Sequence, residues 1–200
     1  MKIFLFGLSL CLGLGLYLCP DSSAQDSKPI ILPRPNTEAG KPLMAAINER
    51  HTDRNFKAEA LSDQQTAEIL WVAVGVNRPD KGNLRTTPTA MNRQDVSVYA
   101  LSEKGAFYYD ALEHSLDIIA QGDQTSILGA PFGLVFVAPV DNSFAGVNVG
   151  YCSQNVYLYA ASEGLNTVAK GTFDKDVLKK LLKLKNNQQI VLVQPIGPRP

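Results

Sequence analysis

The feature that most constrains the fold is a continuous apolar run from Phe132 to Val140. A strand with one face in water alternates apolar and polar residues, whereas an unbroken run is typical of a strand covered on both faces. The run therefore predicts a central strand in a sheet that is flanked by helices.

Helical spacing of apolar residues predicts the elements that flank this sheet. A capping box of Ser62 and Gln65 marks the start of one helix. Gly164 is a typical stop at the end of another. The predicted helices are Lys41–His51, ending near Arg50; Ser62 to about Val76; a short one at Glu113–Gln121; Asn148–Glu163; and Asp174–Leu184.

The remaining periodic segments predict strands. Asp95–Leu101 and Ala106–Tyr109 indicate a hairpin, and Gln189–Gln194 a final strand. Because helices and strands are interspersed, the predicted class is α+β, with a central mixed or antiparallel sheet in a single domain over residues 41–200. Residues 25–40 contain three prolines and no periodicity, which predicts an exposed N-terminal arm.

Residues 1–24 have the pattern of a secretory signal peptide. A short positive end precedes an apolar run from Ile3 to Leu18, and small residues favour cleavage after Ala24. This pattern predicts export to the periplasm or the extracellular space, with no stable membrane span in the mature chain. Two alternatives are less favoured. An uncleaved anchor would need roughly 20 apolar residues, and a lipid anchor at Cys19 would follow the bulky Leu18.

Composition and motif content exclude several classes of function. The chain carries 19 Lys and Arg against 19 Asp and Glu, with no basic stripe, which argues against a nucleic-acid partner. No Gly-rich phosphate loop follows a predicted strand, and no serine sits in a nucleophile elbow. His51, His114 and Cys152 are too far apart in sequence to indicate a metal site.

Signal cleavage would leave Cys152 as the single cysteine, which cannot form an internal disulfide. Its apolar neighbours favour a small buried thiol over a reactive one. The mature fold must then be held together by its core or by a partner subunit.

The end of the first predicted helix carries Arg50 and Arg54, with Thr52 between them. Two guanidinium groups and an intervening hydroxyl can converge on one anionic group, because guanidinium forks suit phosphate oxygens. Arginines at a helix end are also common as solvated caps that complement the helix dipole. The spacing alone leaves both interpretations open.

Four segments in order resemble those of the FMN-dependent nitroreductase family. The family's motifs are an Arg-x-Ser-x-Arg/Lys-x-Phe opening, a Pro-Ser-x-x-Asn-x-Gln loop, an Asp-x-Gly-x-x-x-Gln-Asn helix closing in Leu-Gly-Leu, and a final strand with its exit. The similar segments are Arg50–Phe56, Arg85–Gln94, Asn148–Asn155 with Ala160–Leu165, and Pro195–Pro200. The likeness runs from about Lys41 to Pro200. The hairpin, followed by Leu112, His114 and Leu116, looks closest to the branch with the SagB-type dehydrogenases, which oxidise azoline rings.

This resemblance implies an FMN cofactor and a role for each matching residue. Arg50 and Thr52 would hold the FMN phosphate, and Arg199 would complete that site. Arg54 would lie near N1 and O2 of the isoalloxazine, where a cation stabilises the negative charge of the reduced flavin. Gly171 would direct its backbone N–H towards N5, since glycine allows close approach.

The resemblance also implies contacts across a homodimer. His51 would contribute backbone or ring contacts, although a lone histidine is equally well explained as a surface residue. Pro88, Thr89 and Asn92 would lie along the pyrimidine edge and the ribityl chain, from the partner subunit. No catalytic side chain is implied, because the flavin carries the chemistry.

Three departures from the family pattern bear on these roles. Thr52 replaces the usual serine and keeps its hydroxyl. Asn148 replaces an aspartate, which we expect to be a structural change. Many members continue past the last strand with an arm that embraces the partner, whereas this sequence ends at Pro200. A smaller dimer interface is expected.

The implied function is that of an FMN-dependent oxidoreductase. It would transfer two electrons through flavin N5 from a reduced donor to a conjugated acceptor such as a nitroaromatic or a quinone. The alternative is a flavin-binding electron carrier without its own turnover, and a third possibility is a structural exported domain. Because nicotinamide nucleotides are cytoplasmic, export leaves the physiological donor and substrate open.

Overall fold

The computed structural model describes residues 28–200. The predicted signal peptide, with Cys11 and Cys19, and residues 25–27 lie outside the described part of the chain. The strands are β1 (Ile30–Ile31), β2 (Val76–Arg78), β3 (Leu84–Arg85), β4 (Ser97–Ser102), β5 (Gly105–Asp110), β6 (Ser115–Gln121), β7 (Phe132–Pro139), β8 (Leu165–Thr167) and β9 (Gln188–Pro198). The helices are α1 (Leu43–Glu49), α2 (Asp63–Val74), α3 (Thr125–Leu128), α4 (Ala145–Glu163) and α5 (Lys175–Leu181).

A seven-stranded sheet lies at the centre of the molecule. Its strand order is β1-β6-β5-β4-β7-β9-β8, and every pair of neighbours is antiparallel. Strands β2 and β3 form a separate two-stranded ribbon. The prediction of a single α+β domain around a central sheet is confirmed, and the sheet is antiparallel rather than mixed.

Strand β7 lies between β4 and β9, and residues 132–138 are all buried. Leu134 and Phe136 belong to a core that also contains side chains of α2 and α4. Val135 and Val137 point to the opposite face, into a second core that contains α5 side chains. The predicted central strand with cover on both faces is confirmed.

Helices α1, α2, α4 and α5 agree with their predicted positions, with shifts of a few residues at their ends, whereas the short helix α3 was not predicted. The side chain of Ser62 and that of Gln65 form the predicted capping box of α2. Helix α4 has 19 residues and begins three positions before the predicted start. It is capped by Gly164, which has a φ of 71°. This left-handed conformation is one that glycine adopts readily. Within residues 28–200, no helix is long and apolar enough to cross a membrane.

The prediction of a short helix at residues 113–121 is wrong, because most of this segment forms strand β6. The carboxylate of Asp110 accepts two backbone N–H groups of the preceding turn and so reverses the chain. Strand β6 then pairs with β5 on one side and β1 on the other. Its adjacent β-branched residues, Ile118 and Ile119, suit extended backbone, and the pairing with two strands outweighs the weak helical pattern.

The described part of the N-terminal arm is mostly exposed, but it is attached to the domain. Ile30 and Ile31 form the edge strand of the sheet beside β6, and Leu32 is buried. The N–H of Leu32 donates to the carbonyl of His114 at 3.1 Å, and Nε2 of His114 lies 2.8 Å from the carbonyl oxygen of Pro33. The arm therefore contributes backbone to the sheet, which its prolines did not predict.

Candidate functional site

The segment after α1, residues 50–57, contains Arg50 and Arg54. It runs along the edge of the sheet at β8. The N–H of Asp53 donates to the carbonyl of Thr167 at 3.1 Å, and the amide of Asn166 donates to the carbonyl of Asn55 at 2.8 Å. A third bond, from the N–H of Lys57 to the carbonyl of Pro198, reaches the end of β9. These bonds attach the segment to β8 and β9.

Arg50 and Thr52 meet at the side chain of Tyr157, on α4. The guanidinium carbon of Arg50 lies 5.3 Å from the centre of the Tyr157 ring, within the range of a cation–π contact. The hydroxyl oxygens of Thr52 and Tyr157 are 2.9 Å apart, and the Tyr157 hydroxyl also accepts the N–H of Ala169 at 2.9 Å. Arg50 and Thr52 therefore contact the same side chain, one through its ring and the other through its hydroxyl.

Arg199 follows β9 and reaches the other end of β8. Its Nε donates to the carbonyl of Leu165 at 3.4 Å. Its Nη2 is buried and has no hydrogen-bond partner within residues 28–200. A buried guanidinium nitrogen without a partner is costly, and an anionic group bound at this edge would satisfy it.

The charges around Glu49 indicate which side chains are near Arg199. A hydrogen bond from the ammonium of Lys41 is the main cause that lowers the pKa of the Glu49 carboxylate, and partial burial opposes it. The positive charge of Arg199 lowers this pKa further. Arg199 is thus close to the end of α1.

His51 and Arg54 are exposed members of the predicted set on this segment, as is Thr52. Nδ1 of His51 lies 2.7 Å from the carbonyl oxygen of Glu49, so the ring is held by its own turn. The side chain of Arg54 makes no hydrogen bond or ion pair with any residue in the described range, and it is exposed. Arg54 is therefore available to a ligand, whereas His51 is engaged locally.

Gly171 lies just beyond the backbone segment that Tyr157 and β9 hold in place. Lys170 exchanges two backbone hydrogen bonds with Val193, at 2.8 and 3.1 Å. Gly171 itself is exposed, and apart from the residue and its two chain neighbours no heavy atom of residues 28–200 comes within 4 Å of the position that a Cβ would occupy. The backbone at Gly171 is thus rigidly attached on one side and open on the other.

The predicted loop residues Pro88, Thr89 and Asn92 lie elsewhere. The Oγ1 of Thr89 accepts the N–H of Gln94 at 2.9 Å, and Asn92 is exposed with a φ of 53°. The neighbouring Ala90 donates its N–H to Oδ1 of Asn148, near the start of α4. Tyr157 is nine residues further on, which is about 14 Å along the helix axis. Within one chain, this loop therefore lies away from the edge of the sheet where Arg50 is located.

The exposed side of α4 is apolar near its start. Val147 is 52% exposed and Tyr151 is 46% exposed, one turn apart, and Phe144 precedes them with 49% exposure. Helix α1, which packs on α4, exposes Leu43 and Met44 as well. An apolar surface on two adjoining helices is typical of a protein–protein contact.

Cys152 is fully buried, as its apolar surroundings predicted. Burial raises the pKa of its thiol to about 11, although a contact with Thr87 opposes the effect. At neutral pH the group is a thiol rather than a thiolate, so it is not a nucleophile.

Tyr157 and Ala169 are the site residues that the sequence did not identify. The helical pattern of α4 places position 157 beside the apolar stripe, which indicates burial but not contact with a segment more than 100 residues away. The signal available in the sequence was a tyrosine on the buried side of a helix, since a buried tyrosine hydroxyl needs a polar partner.

An antiparallel sheet carries the long, half-buried helix α4, and a cationic edge formed by Arg50 and Arg199 lies where α1, β8 and β9 end. These features define a nitroreductase-like α+β fold. The model of the nitroreductase family matches residues 47–198. The chain belongs to this family, and the resemblance noted in the sequence is confirmed at that level.

Individual relatives agree with this assignment. A protein of Methanocaldococcus jannaschii that is named as a nitroreductase is 26% identical over an alignment of 182 positions, which covers 78% of this chain and 90% of that protein. The crystal structure of a Ralstonia eutropha protein described as a nitroreductase has a TM-score of 0.80 and 31% identity, and the match covers 87% of this chain and 90% of that one. An FMN-dependent nitroreductase from Clostridium difficile shares the fold, with a TM-score of 0.57 and 14% identity over 79% of this chain and 91% of that one. Family membership makes the protein an oxidoreductase of the nitroreductase type.

Proposed function

We propose that the protein is an FMN-dependent oxidoreductase that passes two electrons from a reduced donor to a conjugated acceptor. The observation that carries the proposal is the buried, unpartnered Nη2 of Arg199 at the edge of the sheet that also holds Arg50 and Thr52. A phosphate monoester at this edge would satisfy that nitrogen. The FMN-dependent nitroreductase that shares the fold supports the choice of flavin.

The residues at this edge fit a flavin phosphate. Arg50 and Arg199 supply guanidinium donors, and the hydroxyl of Thr52 supplies a neutral one. Two arginines and a hydroxyl can neutralise one phosphate without a basic surface, which agrees with the formal net charge of zero.

The residues further along fit a flavin ring. The chemistry that FMN supplies when bound is acceptance of a hydride at N5 and onward transfer of two electrons. The N–H of Gly171 is assigned to N5, where the open space beside this residue admits a flat ring. The exposed guanidinium of Arg54 is assigned to N1 and O2, where it stabilises negative charge on the reduced ring.

The complete site belongs to a homodimer in this proposal. Pro88, Thr89 and Asn92 are far from the Arg50 edge of their own chain, and the exposed apolar surface of α1 and α4 provides a face for a second copy. In a two-fold dimer the same surface meets itself, so each loop would approach the partner's site. This arrangement assigns the three loop residues to the pyrimidine edge and ribityl chain of the partner's flavin.

The finer assignment to the SagB-type dehydrogenases is part of the proposal. It rests on the β4–β5 hairpin and on the segment with Leu112, His114 and Leu116 that follows it. Such an enzyme would remove two hydrogens from an azoline ring. Incubation with a thiazoline-containing peptide, followed by mass spectrometry, tests this branch: a loss of two hydrogen atoms supports it, and an unchanged mass contradicts it.

Export, proposed from the N-terminal sequence, bears on the electron donor. A mature enzyme outside the cytoplasm has no supply of nicotinamide nucleotides, so its donor is either another reductant or the substrate itself. Secretion of a reporter fused after Ala24 tests the signal peptide, and retention in the cytoplasm contradicts it.

Rapid-mixing kinetics of the FMN-loaded protein test the enzymatic function. NADH, NADPH and a small dithiol are mixed with the protein as trial donors, and a quinone or a nitroaromatic is then added. Bleaching of the flavin followed by reoxidation through repeated cycles supports the oxidoreductase. A flavin that is reduced but is not reoxidised by any organic acceptor supports the electron carrier instead.

A further inference from the structure

Tyr157 contacts both segments that the proposed site needs. Its ring lies under the guanidinium of Arg50, and its hydroxyl bonds to the side chain of Thr52 and to the backbone N–H of Ala169. The side chain is only 9% exposed. Arg50 and Thr52 lie on the segment after α1, whereas Ala169 lies two residues before Gly171.

The hydroxyls of Tyr157 and Thr52 share one hydrogen bond, in which either oxygen can be the donor. The Tyr157 oxygen already accepts the N–H of Ala169, and we assign its proton to the bond with Oγ1 of Thr52. The proton of Thr52 then points away from Tyr157 and can be donated to an anion. A chain of three donors therefore runs from the Ala169 backbone through two hydroxyls to the cationic edge.

The backbone around Ala169 is held from two sides. The N–H of Val168 donates to the carbonyl of Pro195, and Lys170 pairs with Val193. Ala169 lies between these two attachments to β9, and its own N–H turns to Tyr157. Residues 168–170 lead to Gly171, and β9 holds Val168 and Lys170. The hydroxyl of Tyr157 thus holds the residue between them, Ala169.

We propose that Tyr157 is a positioning residue that couples the phosphate-binding side chains to the backbone segment carrying Gly171. The inference rests on the proposed FMN function. The hydroxyl directs the Thr52 donor towards the phosphate and anchors Ala169, while the ring orients Arg50. Occupation of the phosphate site would then order the segment that faces flavin N5.

The test compares Tyr157→Phe with Tyr159→Phe. The first variant removes the bridging hydroxyl and keeps the ring under Arg50. The second removes a hydroxyl from the same helix that bonds to Glu68, away from the cationic edge. Affinities for FMN and for riboflavin are measured by flavin fluorescence, and backbone hydrogen exchange of residues 168–173 is measured without flavin.

We expect Tyr157→Phe to weaken FMN binding by about tenfold, and riboflavin binding by clearly less, because riboflavin lacks the phosphate. Exchange of residues 168–173 should become faster in Tyr157→Phe and stay unchanged in Tyr159→Phe. A double-mutant cycle with Thr52→Val should show coupling, since the loss of either hydroxyl disables the same donor.

The outcomes separate this inference from the function on which it rests. Equal weakening of FMN and riboflavin, additive effects with Thr52→Val, or unchanged exchange of residues 168–173 would overturn the role of Tyr157 and leave the FMN proposal standing. A wild-type protein that binds neither flavin would overturn the proposed function and the inference with it.

Discussion

The carboxylate of Glu68 on α2 accepts a hydrogen bond of 2.7 Å from the hydroxyl of Tyr159 on α4. The same carboxylate accepts the side-chain amide of Gln64 at 2.6 Å and the backbone N–H of Asn36 at 3.1 Å. Two helices and the N-terminal arm thus meet at one buried carboxylate. Like Tyr157, Glu68 joins segments that are distant in sequence.

The Glu68 cluster predicts a specific dependence of stability on pH. Burial raises the pKa of Glu68, but its three hydrogen bonds outweigh burial and hold the pKa below the ordinary value of 4.5. Because the folded pKa is below the unfolded pKa, the carboxylate stabilises the fold above about pH 4.5, and this stabilisation is lost as pH falls through the folded pKa. Glu68→Gln should therefore lower the free energy of unfolding by about 1–3 kcal/mol at pH 7.

Chemical denaturation at several pH values measures this effect. The difference between wild type and Glu68→Gln should shrink as the pH falls below about 4.5. Glu103→Gln is the control, since this exposed carboxylate makes no hydrogen bond or ion pair within residues 28–200. A difference that is the same at pH 7 and at pH 3 would contradict the account.

Thiol reagents should leave Cys152 unmodified in the native protein. Its thiol is buried and its pKa is raised to about 11, so little thiolate is present at pH 8 and the reagent has no access to it. Mass spectrometry of the peptide that contains Cys152 checks the result. The same peptide should be fully labelled after denaturation, and full labelling of the native protein within minutes would be inconsistent with this structure.

His114 should hold the N-terminal edge strand in place. Its Nδ1 lies 2.8 Å from the hydroxyl of Tyr109, and its Nε2 lies 2.8 Å from the carbonyl of Pro33. His114→Asn removes the ring but tolerates the φ of 49° at this position, because asparagine adopts left-handed conformations readily. We expect a loss of about 1–3 kcal/mol in the free energy of unfolding.

Hydrogen exchange locates the effect of His114→Asn. Residues 30–32 should exchange faster than in wild type, and the strands at the centre of the sheet should not. Gln121→Ala, at an exposed position at the end of β6, serves as the control. Unchanged protection of residues 30–32 would show that the backbone pairing alone retains the arm.

A charge on the exposed apolar face of α4 should separate the proposed dimer. Val147→Asp places a carboxylate where a second copy would bury it, and burial of an unpaired charge is costly. Light scattering after size exclusion should show a monomer, together with weaker FMN binding. Val177→Asp on α5 is the matched control, since Val177 is 46% exposed on another helix. A Val147→Asp protein with the mass of the wild type would place the interface elsewhere.

Strand β7 and the start of α2 could be predicted from the sequence because their signals are local. An unbroken apolar run identifies β7 whatever surrounds it, and the capping box of Ser62 and Gln65 lies within four residues. Strand β6 was predicted as a helix because its pairing with β5 and β1 is not visible in its own residues. Long-range pairing decides such short segments.

The sequence indicates residue types for the candidate site but not their connections. Spacing and resemblance point to Arg50 and Thr52, and the structure shows that both contact Tyr157. Tyr157 was missed, since its hydroxyl meets residues from two distant segments. The separation of Asn92 from the edge of the sheet where Arg50 is located was likewise a property of the fold, because it depends on where a loop meets α4.

Arg199→Gln tests the phosphate assignment. It removes the charge and the buried Nη2 while keeping a side chain of similar length. FMN binding should weaken by about one to two orders of magnitude, whereas riboflavin binding should change little, because charge-assisted bonds to phosphate contribute about 1.5–3 kcal/mol. Arg34→Gln, at an exposed position in the N-terminal arm, is the control. Equal affinities of wild type and Arg199→Gln for FMN would remove Arg199 from the site.

The visible spectrum of the purified protein tests the central claim most directly. The protein is incubated with FMN, freed of unbound flavin by gel filtration, and scanned. Our account predicts a yellow protein whose flavin absorbance is stoichiometric with the chain and is released on denaturation as intact FMN. A folded protein that is colourless after this treatment would contradict the account.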